Sequence, residues 1–242
     1  MPNTWFRFKL FTIEQEHAAM KVGTDGVLLG AWTSIPKSGS RVLDIGTGTG
    51  LIALMLAQRA KDAEVDALEI DPSAAGQAED NFRSSPWKDR INCFHTSFQD
   101  YSSQCDLQYD LIICNPPFFS ASVKTPSKEK NLARHDDSLS LGDLFKYAIP
   151  LMQKSATLSL ILPAEKEALV FNLISEHQMY CKRLTRVIPV PGKPTHRLLL
   201  ECSFIPGKCI EDELIIESGG RHMYSDKYKK LTGEFYLEKG DC

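Results

Sequence analysis

The chain lacks the features that mark fibrous, disordered and membrane-spanning proteins. Its 242 residues contain no internal repeat, no low-complexity segment and no apolar run long enough to span a membrane. The N-terminal segment has no apolar stretch followed by a small-residue cleavage site, the pattern typical of a secretory signal. These absences favour an ordinary globular protein, which we expect in the cytoplasm. We also expect a monomer.

The sequence also has little that would hold a metal ion. Its seven cysteines are an odd number, none forms a C-x-x-C pair, and none is grouped with histidines at the spacing of zinc ligands. We therefore expect free thiols and no metal. The formal net charge is −3, so any contact with nucleic acid must depend on a local basic patch.

What is present is an alternation of short apolar runs with stretches of helical period. This alternation predicts βαβ units and a mostly parallel sheet, a Rossmann-like α/β fold. We predict one domain over residues 1–242, with a lead-in at 1–36 and a C-terminal extension at 206–242 that contains a strand-like ELIIE. The predicted strands are Arg41–Ile45, Glu64–Ile70, Ile91–Phe94, Tyr109–Cys114, Thr157–Leu162, Tyr180–Val187 and Arg197–Phe204. The predicted helices are Leu51–Arg59, Ser73–Phe82, Leu141–Met152 and Ala164–His177.

The last two predicted strands are joined without a helix. The link from Ile188 to His196 contains three prolines and a glycine, which favours an antiparallel hairpin. We therefore predict a seven-stranded sheet with one antiparallel strand.

A glycine-rich turn follows the first predicted strand in VLDIGTGTGLIALMLA. Glycines let a ligand approach the backbone, and the start of the next helix offers unpaired N–H groups. The spacing is D-x-G-x-G-x-G, with Leu51 where a dinucleotide fingerprint has its third glycine, and an acid at the strand end suits a ligand with an ammonium group. Both details favour S-adenosylmethionine. The predicted binding residues of this turn are Asp44, Gly46, Thr47, Gly48 and Gly50.

The next two strand ends extend the predicted cofactor site. Glu69 lies about 20 residues beyond the glycines, where a carboxylate can accept both ribose hydroxyls, with Ile70 beside it. Asp71 before Pro72 is more typical of a helix N-cap. In HTSFQDY, Phe98 can cover the adenine ring, and Ser97, Gln99 or Asp100 can meet the base edge. For these four residues an ordinary loop with a helix cap remains an open alternative.

The fourth predicted strand ends in LIICNPPFF, whose N-P-P-F motif resembles the N-P-P-F/Y signature of methyltransferases that modify a planar, amide-like or exocyclic amino nitrogen. The resemblance implies an acceptor such as the N6 group of adenine. The nitrogen lone pair of an adenine N6 group is delocalised, so a site must orient the amino group for methylation. The side-chain oxygen of Asn115, which also faces the cofactor, and the carbonyl of Pro116 can accept its two hydrogens. Pro117 stiffens the backbone, and Phe118 offers a face for stacking a flipped base.

The chain as a whole resembles the small bacterial methyltransferases that modify N6 of the adenine immediately 3′ of the anticodon in valine transfer RNA. The resemblance implies the same fold, the cofactor S-adenosylmethionine and a tRNA substrate. In that family the threonine-aspartate pair near the N-terminus lies over the methionine end of the cofactor, which implies this role for Thr24 and Asp25. The resemblance rests on KVGTDGVLLGAW, VLDIGTGTGLIAL, NPPFF, ARHDDSLSL, GKPTHRLLLE and LTGEFYL, in this order and spacing.

Basic residues are concentrated in three places that can contact RNA, the third of which comprises Lys227, Lys229 and Lys230. The segment after the N-P-P-F motif can grip phosphates beside a flipped base, although a charged loop is more often a solvated face. A second cluster lies in and between the last two predicted strands. The predicted RNA contacts of the first segment are Lys124, Lys128, Lys130 and Arg134, and the second cluster comprises Lys182, Arg183, Arg186, Lys193, His196 and Arg197.

Three alternatives stay open at this point. The same chemistry can act on ribosomal RNA or on a protein glutamine, since the enzymes that methylate transfer RNA, ribosomal RNA and protein glutamine can all have an N-P-P-F motif. A nicotinamide-dependent oxidoreductase and a non-catalytic RNA-binding module are less compatible with the missing third glycine and with the intact Asp44, Glu69 and Asn115.

Overall fold

A computed structural model describes residues 3–17, 20–116, 139–220 and 222–237. Its strands are β1 (Trp5–Arg7), β2 (Thr12–Glu14), β3 (Arg41–Ile45), β4 (Glu64–Glu69), β5 (Ile91–His95), β6 (Tyr109–Cys114), β7 (Met152–Pro163), β8 (Tyr180–Ile188), β9 (Arg197–Ser203) and β10 (Ile210–Ile215). Its helices are α1 (Thr24–Trp32), α2 (Leu51–Arg59), α3 (Pro72–Arg83), α4 (Phe98–Gln104), α5 (Leu141–Ala148), α6 (Glu167–Glu176) and α7 (Asp226–Thr232).

Eight strands form one sheet in the order β10-β8-β9-β7-β6-β3-β4-β5. Strand β9 runs antiparallel to both of its neighbours, and all other pairs in this sheet are parallel. The Rossmann-like class, the antiparallel strand and the β8–β9 hairpin are thus confirmed. The chain moves outward from β3 through β4 to β5 and then returns to β6 on the other side of β3. The carboxyl ends of β3 and β6 therefore flank the point where ligands bind in open α/β sheets.

Apolar side chains on both faces of the sheet are buried by helices. Along β3, Val42 belongs to a cluster with α1, α2, α3 and α7, whereas Leu43 belongs to a second cluster with α5 and α6. Because successive strand residues point to opposite faces, strands buried on both sides have the near-continuous apolar sequence seen here. In the described part of the chain, every helix is too short or too polar to cross a lipid bilayer.

The longest strand differs from its prediction. Helix α5 ends at Ala148, a 3₁₀ turn covers Ile149–Leu151, and β7 begins at Met152 rather than at Thr157. Pro150 lies in that turn and has no N–H to continue an α-helix. The helix predicted to Met152 was therefore too long. The early part of the strand was missed because its three middle residues, Gln153, Lys154 and Ser155, are polar and interrupt the apolar pattern.

The sheet also has one strand more than the seven that were predicted. Strand β10 pairs in parallel with β8, from Ile210 opposite Arg183 to Ile215 opposite Ile188. It lies in the segment that the sequence assigned to a C-terminal extension. The strand-like ELIIE of the sequence overlaps only the last three residues of β10. Only Leu214 of this strand is buried, and three of its six residues are acidic, so the sequence has no apolar alternation that predicts its start.

Candidate active site

A cavity of about 560 Å³ opens at the carboxyl edge of the sheet, beside the reversal point of the strand order. The glycine turn after β3 forms one wall, the first residues of α1 form another, and the end of β6 lies between them. The ends of β8 and β10 and the start of β9 complete it. The residues that line the cavity include Thr24, Asp25, Gly46, Thr47, Gly48, Asn115, Pro116, His196 and Arg197.

The three glycines of the turn have left-handed backbone conformations, but they serve different purposes. At Gly46 (φ 70°) and Gly48 (φ 58°) a Cβ would meet no atom within 4 Å, so the turn presents open backbone. At Gly50 (φ 83°) a Cβ would lie 2.4 Å from the ring of Phe82 on α3. The first two glycines leave room for a ligand, whereas Gly50 is required by the packing of α2 against α3.

Asp44 lies beneath the turn and is fully buried. Its Oδ2 accepts a hydrogen bond from the hydroxyl of Thr47 at 2.6 Å, and its Oδ1 has no hydrogen-bond partner among the described residues. Burial raises the pKa of this carboxyl to about 7, and the Thr47 hydrogen bond opposes that shift. A buried acid with one unsatisfied oxygen is therefore held next to the open turn.

Glu69 at the end of β4 is bound to the turn by hydrogen bonds. Its Oε2 accepts from the backbone N–H of Gly48 at 2.8 Å, and its Oε1 accepts from the N–H of Asp71 at 2.9 Å. Asp71 caps α3 by accepting from the N–H of Ala74, as the sequence predicted. Glu69 does not line the cavity, but its hydrogen bond holds the backbone of Gly48, which does.

The residues predicted to meet the adenine ring lie apart from the cavity. Ser97 caps α4, because its Oγ accepts from the N–H of Asp100 and donates to the Asp100 carboxylate at 2.6 Å. Phe98 is buried in the core with its ring edge-on to Tyr147, and Ile70 is 55% exposed. The helix cap that was left open as an alternative is present. The contacts of Phe98 and of Ser97, Gln99 or Asp100 with a base, and the role of Ile70 in cofactor binding, stay predictions.

The acceptor motif is described in its first half only. Asn115 and Pro116 follow directly after β6, the strand next to β3, and line the same cavity as the glycine turn. Asn115 is half-buried and Pro116 is buried. Pro117 and Phe118 lie outside the described residues, as do Lys124, Lys128, Lys130 and Arg134. The geometry thus joins the predicted cofactor turn and the start of the predicted acceptor motif in one cavity.

The wall formed by α1 contains an ion pair. Thr24 and Asp25 are the first two residues of this helix, and the Asp25 carboxylate receives a 2.7 Å hydrogen bond from Nε of Arg197 on β9. The sequence grouped Arg197 and His196 only with other basic residues. A signal was available, because an antiparallel β9 begins at the edge where the parallel strands end.

The second basic cluster is divided among several environments. Arg186 pairs with Glu167 and Glu211, while Arg183 stacks on the ring of Trp32 at 4.2 Å. Those two arginines are engaged within the fold, as expected for strand residues that alternate between faces. Of this cluster, His196 and Arg197 line the cavity.

The sequence of this chain matches a known family model over part of its length and is similar to named proteins over nearly its full length. Residues 22–138 match the family model described as the methyltransferase small domain. A tRNA1(Val) (adenine(37)-N6)-methyltransferase of Flavobacterium psychrophilum is 46% identical over 96% of this chain and 99% of its own length. A protein of the same name from Bacteroides thetaiotaomicron is also 46% identical, over 98% of this chain and 99% of its own.

Solved structures share the fold at low sequence identity. A "predicted O-methyltransferase" of Agrobacterium tumefaciens superposes with a TM-score of 0.70 at 19% identity, covering 90% of this chain and all of that one. A ribosomal protein L11 methylase of Lactobacillus delbrueckii gives 0.55 at 17% identity, covering 79% and 83%. At such identities the likeness concerns the arrangement of strands and helices alone.

Proposed function

The chain belongs to the family of tRNA1(Val) (adenine(37)-N6)-methyltransferases, and on that basis we propose that it transfers a methyl group from S-adenosylmethionine to N6 of adenine 37 in that tRNA. It would do so in the cytoplasm, where tRNA is modified. Because these relatives match from end to end, we also propose that residues 1–242 act as one domain.

One observation carries the proposal. The glycine turn, which lies over the buried Asp44, and the Asn115–Pro116 motif follow neighbouring strands and line the same cavity. A methyl transfer needs donor and acceptor within reach of each other, and β3 and β6 are adjacent strands that provide this proximity. A binding module for RNA alone would have no use for the turn.

The residues present fit the cofactor. Gly46 and Gly48 leave open space above the backbone, and Asp44 offers an unsatisfied buried oxygen that a positively charged ligand would stabilise. Glu69 is held beside the turn, where its remaining lone pairs can accept ribose hydroxyls. When bound, S-adenosylmethionine would supply a methyl group on a positively charged sulfur.

Asn115 would orient the adenine amino group. Its side-chain oxygen and the Pro116 carbonyl can accept the two N6 hydrogens, which directs the nitrogen lone pair away from the ring plane. No strong base is required, because the nitrogen becomes acidic as it is alkylated and can release a proton to these acceptors or to water. Phe118 would stack on the base.

The test is methylation of a tRNA anticodon stem-loop with radiolabelled S-adenosylmethionine. The stem-loop with adenine 37 should accept one methyl group, and a matched stem-loop with inosine at that position should accept none, since inosine lacks the exocyclic amine. Ribosomal RNA and protein extracts from cells lacking the enzyme serve as competing substrates. Methylation of the inosine stem-loop, or preferential labelling of ribosomal RNA or of protein, would contradict the proposal.

A further inference from the structure

Arg197 has one side of its guanidinium engaged and one side available. Its Nε donates to Asp25 at 2.7 Å, and its Nη1 lies 2.9 Å from Nε2 of His196. Among the described residues no hydrogen bond reaches Nη2. The side chain is 23% exposed and lines the cavity. An arginine held by two neighbours, with a third nitrogen left over in a cavity wall, is prearranged to accept an anionic group.

The wall around Arg197 presents both signs of charge. Asp25, 30% exposed, lies beside the guanidinium and also lines the cavity. A ligand group with negative charge alone would be attracted by Arg197 and repelled by Asp25. A group that has an ammonium and a carboxylate on neighbouring atoms is complementary to the pair. The amino-acid end of S-adenosylmethionine is such a zwitterion.

We propose that Arg197 binds the carboxylate of the amino-acid end of S-adenosylmethionine, and that its ion pair with Asp25 holds the guanidinium in place for this contact. The proposal rests on the function proposed above and adds a specific cofactor-binding residue on β9. An RNA phosphate is the competing anion. It is less compatible with the wall because Asp25 lies within 2.7 Å of the Arg197 Nε.

The test compares three adenosine ligands by titration calorimetry. S-adenosylhomocysteine has both the ammonium and the carboxylate, S-(3-aminopropyl)-thioadenosine keeps the amine without the carboxylate, and methylthioadenosine has neither. The variants are Arg197→Met and Arg197→Lys. The matched control is Arg186→Met, which removes another half-buried strand arginine with carboxylate partners that lies away from the cavity.

Arg197→Met should weaken S-adenosylhomocysteine roughly 10- to 100-fold, the range of a charge-assisted hydrogen bond, and should leave the affinities for the other two ligands unchanged. The unchanged affinity for methylthioadenosine also shows that the variant is folded. Arg197→Lys should fall between Met and wild type, since lysine keeps the charge without the planar fork. Arg186→Met should match wild type for all three ligands.

Several results would overturn the proposal. An equal loss for S-adenosylhomocysteine and the aminopropyl analogue would mean that Arg197 acts only by positioning Asp25. An unchanged affinity for all three, combined with a smaller salt dependence of tRNA binding, would assign Arg197 to a phosphate. If the wild-type protein binds none of the adenosine ligands, the proposed function fails together with this inference. If the wild type binds them and only the expected effect of Arg197→Met is missing, this inference alone fails.

Discussion

The two halves of the cavity are built in different ways. The turn half comes from one continuous stretch between Asp44 and Asp71, in which Thr47 binds Asp44 three positions away and Gly48 binds Glu69 21 positions away. The other half, the assembled half, brings distant segments together: Asn115 follows β6, and Arg197 on β9 reaches Asp25 on α1 across 172 positions. The first half depends on local spacing, whereas the second depends on the topology of the sheet.

This difference predicts opposite consequences for mutations in the two halves. Asp44 and Glu69 in the turn half are buried or hydrogen-bonded through both carboxylate oxygens, so changing them should alter stability and ligand affinity together. Asn115 in the assembled half is half-buried at a cavity wall, so changing it should alter the proposed reaction and leave the fold intact. Three substitutions test the contrast, from the largest expected effect to the smallest.

Replacing Asp44 by Asn should make the ligand-free protein more stable than the wild type, by an amount that grows as the pH rises. Burial raises the folded-state pKa of Asp44 from 3.8 to about 7, so the wild type loses stability as the pH rises from about 4 to about 7, where the buried carboxyl ionises. The loss is at most about 4 kcal/mol, and an asparagine does not titrate. Urea unfolding at several pH values should show the stability difference between variant and wild type growing across this window.

Two controls accompany this experiment. Asp66→Asn changes another buried acid whose oxygens accept from Asn92 and Tyr109, so it should destabilise instead. Addition of S-adenosylmethionine should favour the wild type over Asp44→Asn, because its sulfonium gives the ligand a net positive charge that only the ionised carboxylate complements. If the free energy of unfolding depends on pH in the same way for Asp44→Asn and the wild type, the carboxyl of Asp44 does not have a raised pKa in the folded protein.

Replacing Asn115 by Ala should lower the single-turnover methylation rate of the stem-loop by roughly 100-fold, the scale of a lost positioning contact. The amide oxygen can follow the amino group as it becomes tetrahedral, so its contribution is larger in the transition state than in the bound substrate. Thermal unfolding and the affinity for S-adenosylhomocysteine should stay at wild-type values. A wild-type rate would remove Asn115 from the reaction, and a large drop in melting temperature would erase the contrast between the halves.

Replacing Glu69 by Ala should weaken S-adenosylhomocysteine binding by about 1 to 3 kcal/mol. The change removes the acceptor for the Gly48 and Asp71 N–H groups, so the melting temperature should fall as well. Glu79→Ala is the matched control, since Glu79 is an exposed acid paired with Arg83 on α3. Loss of affinity without loss of stability would mean that Glu69 serves the ligand alone and does not order the turn.

Much of the fold was predictable because its signals are local. The bounds of β3, β6 and α2 agree with the sequence, since buried strands and the glycine turn leave clear patterns. The early part of β7 was missed, and of β10 only the end lay in the strand-like ELIIE, because the acidic first half of β10 is placed by its pairing with β8 and by no local pattern. The sequence could single out the turn and Asn115 by spacing as candidate site residues, whereas the proposed role of Arg197 depends on a strand that runs in the opposite direction.

The dense packing of α1 has a consequence for amide exchange. Seven of its nine residues are buried, and a Cβ on Gly30 would lie 2.8 Å from the sulfur of Met55 on α2. Uncovering the backbone of this helix therefore requires separating it from the core, which costs nearly as much as global unfolding. Because the same helix begins at the cavity with Thr24 and Asp25, hydrogen exchange along α1 should report ligand occupancy as well as core integrity. We therefore expect the α1 wall of the cavity and the core to open as one cooperative unit.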